Sequence, residues 1–349
     1  MTRLLTPAGE SLVVEPVHTL SPTRTVRTLF ALTDTELGIF FRGALPALDQ
    51  DRIQIFRCAG VADEWSSALE EIQPEIIVSC WKTPGLPEEW IQRPDCPLRY
   101  VCHLTGSVRH VVPRGFLEDG KLVTNWGGIA APQVAEHALL LALAALRNLS
   151  DWRKWDKTQV PKTKTLYGRT VGIHGFGKVA RFLVDLLRPF GVSIRAYSLG
   201  VPPAMMQSRG VTPAASLREL FSESEVLFDC EALNEQTERS VSKELLAALP
   251  DKAVFVNVGR GRIVDEDALG REAASGRIAV AIDVVTHEPL PADSPLATLP
   301  GVIYSPHIAG PTGDQFPYCG KLAVENIYRY MDNLPLEARV TLDIYDRAT

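Results

Sequence analysis

The chain has 349 residues, 46% of them hydrophobic and 22% charged, and a formal net charge of -6. This is enough material for two domains of ordinary size, each with its own core, and it excludes a disordered or fibrous chain. The acidic balance and the absence of any long Lys/Arg block argue against a nucleic-acid surface, and the most apolar run, Ala138 to Leu146, falls well short of the roughly 20 residues that span a bilayer.

Residues 1 to 25 carry few helix or strand signals and read as an arm or lead-in. Met1 to Arg27 has no apolar core of the kind a secretory signal needs. From Val26 the pattern alternates: strand Val26 to Leu32, a helix from Asp34, strand Arg52 to Arg57, helix Glu64 to Ile72, then strands Glu75 to Ser79 and Leu98 to Leu104. Such alternation predicts a parallel sheet with crossover helices, whose ligand loops follow the carboxyl ends of the strands. Two loops stand in such places: Ser79 to Gly85, with Trp81 and Lys82, and Thr105-Gly106-Ser107. After a strand at Leu122 to Trp126 comes Gly127-Gly128, a candidate hinge. A helix from Pro132 to about Asn148 follows, apolar almost all round, which predicts burial in a core or against a partner subunit. The polar stretch Ser150 to Tyr167 is long for a connection and reads as a candidate inter-subunit arm.

A second α/β unit opens with the apolar run Val171 to Ile173 and the G-x-G-x-x-A pattern Gly175-Phe176-Gly177-Lys178-Val179-Ala180. Strand, tight turn and helix are the context a dinucleotide needs. Gly175 permits the sharp turn, Gly177 lets the backbone approach a pyrophosphate, and Ala180 allows close helix-on-strand packing at a helix amino end that favours phosphate. Strands are then expected at Val192 to Tyr197, Val226 to Asp229, Ala253 to Val258, Ile278 to Ile282 and Val302 to Tyr304. Helices are expected at Ser216 to Phe221, Ser242 to Leu249, Asp265 to Ser275 and Lys321 to Met331, before a polar tail. Asp265 is a good N-cap and Gly276 a good helix stop. The six cysteines (Cys58, Cys80, Cys96, Cys102, Cys230, Cys319) show no C-x-x-C or paired metal spacing, which points to reduced thiols in the cytoplasm and to no bound metal.

Three titratable residues follow strands of the second unit: Arg260 after Val256 to Gly259, Glu288 after the strand ending in Asp283, and His307 after Val302 to Tyr304. Singly, each has an ordinary alternative: a salt-bridge arginine, a solvated loop acid, a satisfied turn histidine. Together, at matching strand ends beside a dinucleotide loop, they suit hydride transfer to a 2-oxo acid. That reaction needs a cation to hold the carboxylate and polarise the carbonyl, and an acid to protonate the alkoxide. The planar fork of an arginine suits the first task and His307 the second, with Glu288 stabilising the imidazolium and fixing its tautomer.

These motifs resemble those of the D-isomer-specific 2-hydroxyacid dehydrogenases. The resemblance rests on Val134 to Ala138, Thr170 to Val179, Val256 to Gly261 with Val264-Asp265-Glu266, Ala281 to Val284 with Glu288-Pro289-Leu290, and Pro306 to Gly310. It is strong from about Leu98 to Leu334 and vague before that. It implies an α/β fold of two Rossmann-like parallel-sheet domains. A flavodoxin-like substrate-binding domain, 1–126 with 312–349, would be split around a central NAD(P)-binding Rossmann domain, 127–311. It implies an NAD(P)-dependent oxidoreductase with catalytic Arg260, Glu288 and His307. Gly175, Phe176, Gly177, Lys178, Val179, Ser198, Cys230, Val258, Gly259, Asp283, His307 and Gly310 would lie at the cofactor. Trp81, Lys82, Thr105, Gly106, Ser107 and Arg260 would lie at a small-molecule substrate. A cytoplasmic homodimer, with no membrane or nucleic-acid partner, matches the family pattern.

Three departures stand out. Ser198 occupies the end of the second strand, where NAD-using relatives carry an Asp for the ribose 2′-hydroxyl, so NAD and NADP are both admissible and no arginine follows until Arg209. The loop Cys230-Glu231-Ala232-Leu233-Asn234-Glu235-Gln236-Thr237 replaces the family's His-x-Pro-x-x-Pro-x-Thr. Trp81 and Lys82 either narrow the substrate pocket and add a positive charge, or merely lie on the surface. Two other readings follow: a dinucleotide-sensing, corepressor-like interaction protein, and a relative acting on a phosphonate or phosphite donor.

Overall fold

The apolar runs become parallel strands in a computed structural model that describes residues 25–59, 62–154, 163–299 and 301–347. The first sheet contains β1 (Val26–Ala31), β2 (Ile53–Cys58), β3 (Ile76–Ser79), β4 (Tyr100–His103) and β5 (Leu122–Thr124), in the order β2-β1-β3-β4-β5. This is the flavodoxin-like order. The second sheet contains β6 (Thr170–His174), β7 (Ser193–Tyr197), β8 (Thr212–Pro213), β9 (Val226–Asp229), β10 (Val254–Asn257), β11 (Ala279–Ile282) and β12 (Val302–Tyr304). Its order, β12-β11-β10-β9-β6-β7-β8, is the Rossmann order with one strand added. Every residue of β3, β4, β9 and β10 is buried. That is why these strands read as continuous apolar runs: helices cover both faces.

The order reverses between β6 and β9, so the helices that follow these neighbouring strands, Lys178–Leu187 and Lys243–Ala248, pack into different cores and a crevice opens at the strands' carboxyl ends. The Ala131–Leu146 helix closes one face of this sheet. Ala135, Ala138, Leu141 and Ala142 pack with Val171, Ile173 and Leu183, and Leu140 on the other side is 55% exposed.

Two expectations at the carboxyl end are corrected. The last long helix spans Phe316–Met331, starting five residues before Lys321. Pro317 lies in its first turn, where proline is tolerated, and Gly320 follows one turn in. A Cβ on Gly320 would come 2.3 Å from the Phe40 carbonyl oxygen, so the glycine lets this helix press against the Asp34–Phe41 helix. The polar tail is not free either: Leu342–Arg347 is a short helix docked on the first sheet unit. Arg114 makes two 2.9 Å bonds to the Asp346 carboxylate, Arg109 Nη2 donates to the Tyr345 carbonyl at 2.7 Å, and the Tyr345 hydroxyl donates to the Val112 carbonyl at 2.8 Å. The arm expected over residues 1 to 25 lies, but for Thr25, outside the described residues. Of the expected inter-subunit arm, a 3-10 helix at Leu149–Lys154 is described and 155–162 lie outside.

Candidate active site

Three loops at the carboxyl ends of β10, β11 and β12 carry Arg260, Glu288 and His307. After β10 the Asn257 side chain accepts the Gly259 N–H at 2.9 Å and turns the chain, and Arg260 Nη1 donates to the Gly259 carbonyl at 2.7 Å. Burial pushes the Arg260 guanidinium below its ordinary value, and the Glu288 carboxylate opposes that shift. After β12 the chain reaches His307 in the left-handed region, at φ 54°, with its N–H on the Asp283 carbonyl at 2.8 Å. His307 Nδ1 lies 2.7 Å from Glu288 Oε2, and the two side chains are 47% and 37% exposed. With Nδ1 held by a carboxylate, Nε2 is the ring nitrogen left for proton exchange.

Asp283 builds the loop that presents His307. Its carboxylate accepts the N–H groups of Ile308 and Ala309 at 3.0 Å each and the Ser305 hydroxyl at 2.6 Å, while His137 Nε2 stands 3.5 Å away. Burial alone would raise this carboxyl, but His137, Ser305 and the two N–H groups outweigh it and hold it below its ordinary value.

The glycine loop has the shape its pattern predicts. Gly175 has φ 86°, and a Cβ there would meet Glu231 Cα at 2.6 Å. Gly177 opens the Lys178–Leu187 helix with no side-chain cap, and nothing lies within 4 Å of where its Cβ would be. An uncapped helix start over an open glycine is a cradle for a pyrophosphate, and the residues therefore fit a dinucleotide. The side chains of Phe176 and Val258 are buried in the core, with Val179 packed against them, so these three offer backbone at the crevice. Lys178 instead runs toward the hinge, its Nζ 3.5 Å from the Cβ position of Gly128. Cys230 is half-buried, its thiol pushed up first by burial and then by Asp229 and Glu231. Ser198 donates to Glu231 Oε2 at 3.2 Å.

The loops after β3 and β4 are held differently. Trp81 sits in an aromatic cluster, its ring 5.4 Å from Phe40 and 5.8 Å from Phe316, and is 41% exposed. The Lys82 N–H donates to Glu36 Oε1 at 2.9 Å. Thr105 is bonded to His103 Nε2 at 2.7 Å, and Ser79 to His103 Nδ1 at 2.9 Å. Burial, aided by His110, drives His103 down to about 3, so this imidazole is a neutral brace. A Cβ on Gly106 would meet Trp126 Nε1 at 2.9 Å, and one on Gly310 would lie 3.9 Å from the same indole. Trp126 thus joins the Thr105-Gly106-Ser107 loop to the loop that carries His307. Sequence reasoning assigned Trp126 no role. It also missed Glu231 and a buried pair under the glycine loop, His174 Nδ1 and Asp229 Oδ1, 3.3 Å apart. The available signal was a charged residue closing each of two otherwise apolar strands.

Comparison with known proteins adds four findings. The family model described as D-isomer specific 2-hydroxyacid dehydrogenase, NAD binding domain, matches residues 138–309. Hydroxypyruvate reductase of Thermotoga maritima is 33% identical over 61% of this chain and 71% of its own length. D-3-phosphoglycerate dehydrogenase of Methanocaldococcus jannaschii is 31% identical over 61% of this chain, although the match spans only 42% of that longer enzyme. Among solved structures, D-mandelate dehydrogenase of Rhodotorula graminis superposes with a TM-score of 0.77 over 91% of this chain and 98% of its own, at 20% identity, a likeness of fold.

Proposed function

Because the chain belongs to the D-isomer-specific 2-hydroxyacid dehydrogenase family, we propose that it transfers a hydride between a nicotinamide dinucleotide and a small D-2-hydroxy acid or 2-oxo acid. The observation that carries this reading is the 2.7 Å His307–Glu288 pair, with Arg260 close enough for Glu288 to act on its charge. A sensor has no need of a general acid held in this way.

A nicotinamide dinucleotide held in this crevice would supply or accept the hydride. Arg260 clamps the 2-oxo carboxylate and polarises the carbonyl, where its partial burial strengthens the interaction. His307 gives its Nε2 proton to the developing alkoxide, and Glu288 holds the imidazolium at Nδ1. Asp283 keeps the His307 loop in place through Ser305, Ile308 and Ala309, and would lie at the nicotinamide carboxamide of a bound cofactor. Gly175, Gly177 and the amino end of the Lys178–Leu187 helix take the pyrophosphate, with Gly259 and Gly310 lining the crevice. Thr105, Gly106 and Ser107 close over the substrate, with Trp81 and Lys82 at the rim.

The same reading divides the chain into a substrate-binding domain, 1–126 with 312–349, and a cofactor domain, 127–311, hinged at Gly127-Gly128. It makes the protein a cytoplasmic homodimer; no described helix is long and apolar enough to cross a membrane. Exposed Leu140, Leu149 and Trp152 on and after the Ala131–Leu146 helix support a self-association face. The test is consumption of NADH and NADPH over a panel of 2-oxo acids from glyoxylate, pyruvate and hydroxypyruvate to branched, aromatic and phosphonate-bearing ones. Turnover of at least one is expected. Bound cofactor with no turnover across the panel would favour the sensor.

A further inference from the structure

The crevice lacks an acid at the end of β7, where a carboxylate ordinarily takes the ribose hydroxyls, yet a carboxylate stands there. It comes from the loop after β9. Because β9 and β7 flank β6 on opposite sides, a chain leaving β9 must cross the carboxyl end of β6 to reach β7. The Cys230–Glu231 backbone does cross there: it lies directly on Gly175, where a Cβ would come 2.6 Å from Glu231 Cα and 2.8 Å from the Cys230 carbonyl carbon. The Glu231 side chain completes the crossing, with Oε2 accepting the Ser198 hydroxyl at 3.2 Å.

Its position is fixed from below as well as from the side. Asp229 Oδ1 accepts the Glu231 N–H at 3.1 Å and lies 3.3 Å from His174 Nδ1, and both Asp229 and His174 are buried. Burial opposes charge on His174, but the Asp229 carboxylate, with Glu231 beyond it, raises its pKa all the same. The Ala232 N–H donates to Glu231 Oε1 at 3.0 Å. Each carboxylate oxygen has a second lone pair, so an oriented acceptor with spare capacity stands at the carboxyl ends of β6 and β7. Arg209 Nη1 is 3.7 Å from Asp185, and Arg181 Nη2 is 2.9 Å from the Met205 sulfur, with the buried Arg181 Nε left without a hydrogen bond.

We propose that Glu231 is the cofactor-selectivity residue of this chain: it accepts the adenosine ribose hydroxyls, repels a 2′-phosphate, and makes the protein selective for NAD over NADP. The buried His174–Asp229 pair is its positioning element. This rests on the dinucleotide-binding reading above and goes beyond it by naming the residue and the cofactor.

The test is equilibrium binding of NADH and of NADPH to the full chain, followed by energy transfer from protein tryptophan to the nicotinamide, so that no substrate is needed. Wild-type protein is expected to bind NADH at least about tenfold more tightly than NADPH, the worth of one charge-assisted hydrogen bond. Glu231→Gln, which keeps the shape and removes the charge, should narrow that ratio to within about threefold, mainly by relieving the repulsion of NADPH. The double variant Ser198→Asp/Glu231→Ala, which moves the carboxylate back to the end of β7, should restore the preference for NADH. A structural role for Glu231 would weaken both cofactors together and leave the ratio alone. Equal binding by the wild type, or an unchanged ratio in Glu231→Gln, would overturn the assignment of Glu231 while leaving the dehydrogenase reading intact. Failure to bind either cofactor would overturn both.

Discussion

The two ends of the crevice in the second sheet are built in different ways. At the β10–β12 end the proposed catalytic side chains come from loops after three adjacent strands. His307 meets Glu288 directly, and Arg260 feels the charge of the same carboxylate. At the β6–β7 end the carboxylate comes from the loop after β9, on the far side of β6, and is supported by the buried His174–Asp229 pair. The first arrangement needs each strand to end at the right residue. The second needs, in addition, the topology that lays one loop across another. Chemistry that uses a proton at one atom tolerates little variation in its supports, whereas a hydroxyl acceptor is replaceable by any carboxylate that reaches the same point.

Removing the proposed proton donor or the proposed cation should have the largest effect. His307→Ala and Arg260→Ala should each lower kcat/KM on the best 2-oxo acid by about 1,000-fold, within the range seen for general acids and oxyanion clamps. Arg260→Lys should not rescue, because a point charge cannot reproduce a bidentate fork. Steady-state kinetics decide it, and near-wild-type rates would remove these residues from the mechanism. Next in size is the other end. His174→Leu leaves Asp229 buried without its partner and should lower the unfolding free energy by about 3 kcal/mol, measured in urea. His174→Leu with Asp229→Leu should cost much less, since an apolar pair replaces the whole ion pair. Smaller again is Glu288→Gln, expected to lower kcat by about tenfold while leaving KM within about threefold, because it acts on the acid and not on substrate binding.

The smallest effect is one of pH. The His174 pKa is raised in the folded protein from the ordinary 6.5, so its contribution is fully present below that value and is lost as the pH rises through the folded value. Thermal midpoints of the wild type should therefore fall relative to those of the His174→Leu/Asp229→Leu variant as the pH rises from about 6 to 9. Parallel curves would show that the buried pair is uncharged.

Much of this was legible in the chain itself. The strands of both sheets follow from runs such as Ile76 to Ser79 and Val254 to Asn257, because burial on both faces leaves an unbroken apolar signal. Arg260, Glu288 and His307 are legible for a related reason: each stands a few residues beyond such a run. Other features depend on contacts remote in sequence. The Phe316–Met331 helix begins with residues whose glycine and proline suggest a loop until the Asp34–Phe41 helix is seen against Gly320. The Leu342–Arg347 helix is held by Arg109, Arg114 and Val112, more than 200 positions away. Glu231 reads as one of several loop acids, and only the order β9-β6-β7 places it beside Ser198.

The most direct test of hydride transfer uses NADH deuterated at C4, each face in turn, with the best 2-oxo acid from the panel. The account predicts that one of the two cofactors delivers its deuterium to C2 of the product and that this product is the D-isomer. A product without deuterium from either cofactor, or an L-product, would contradict it.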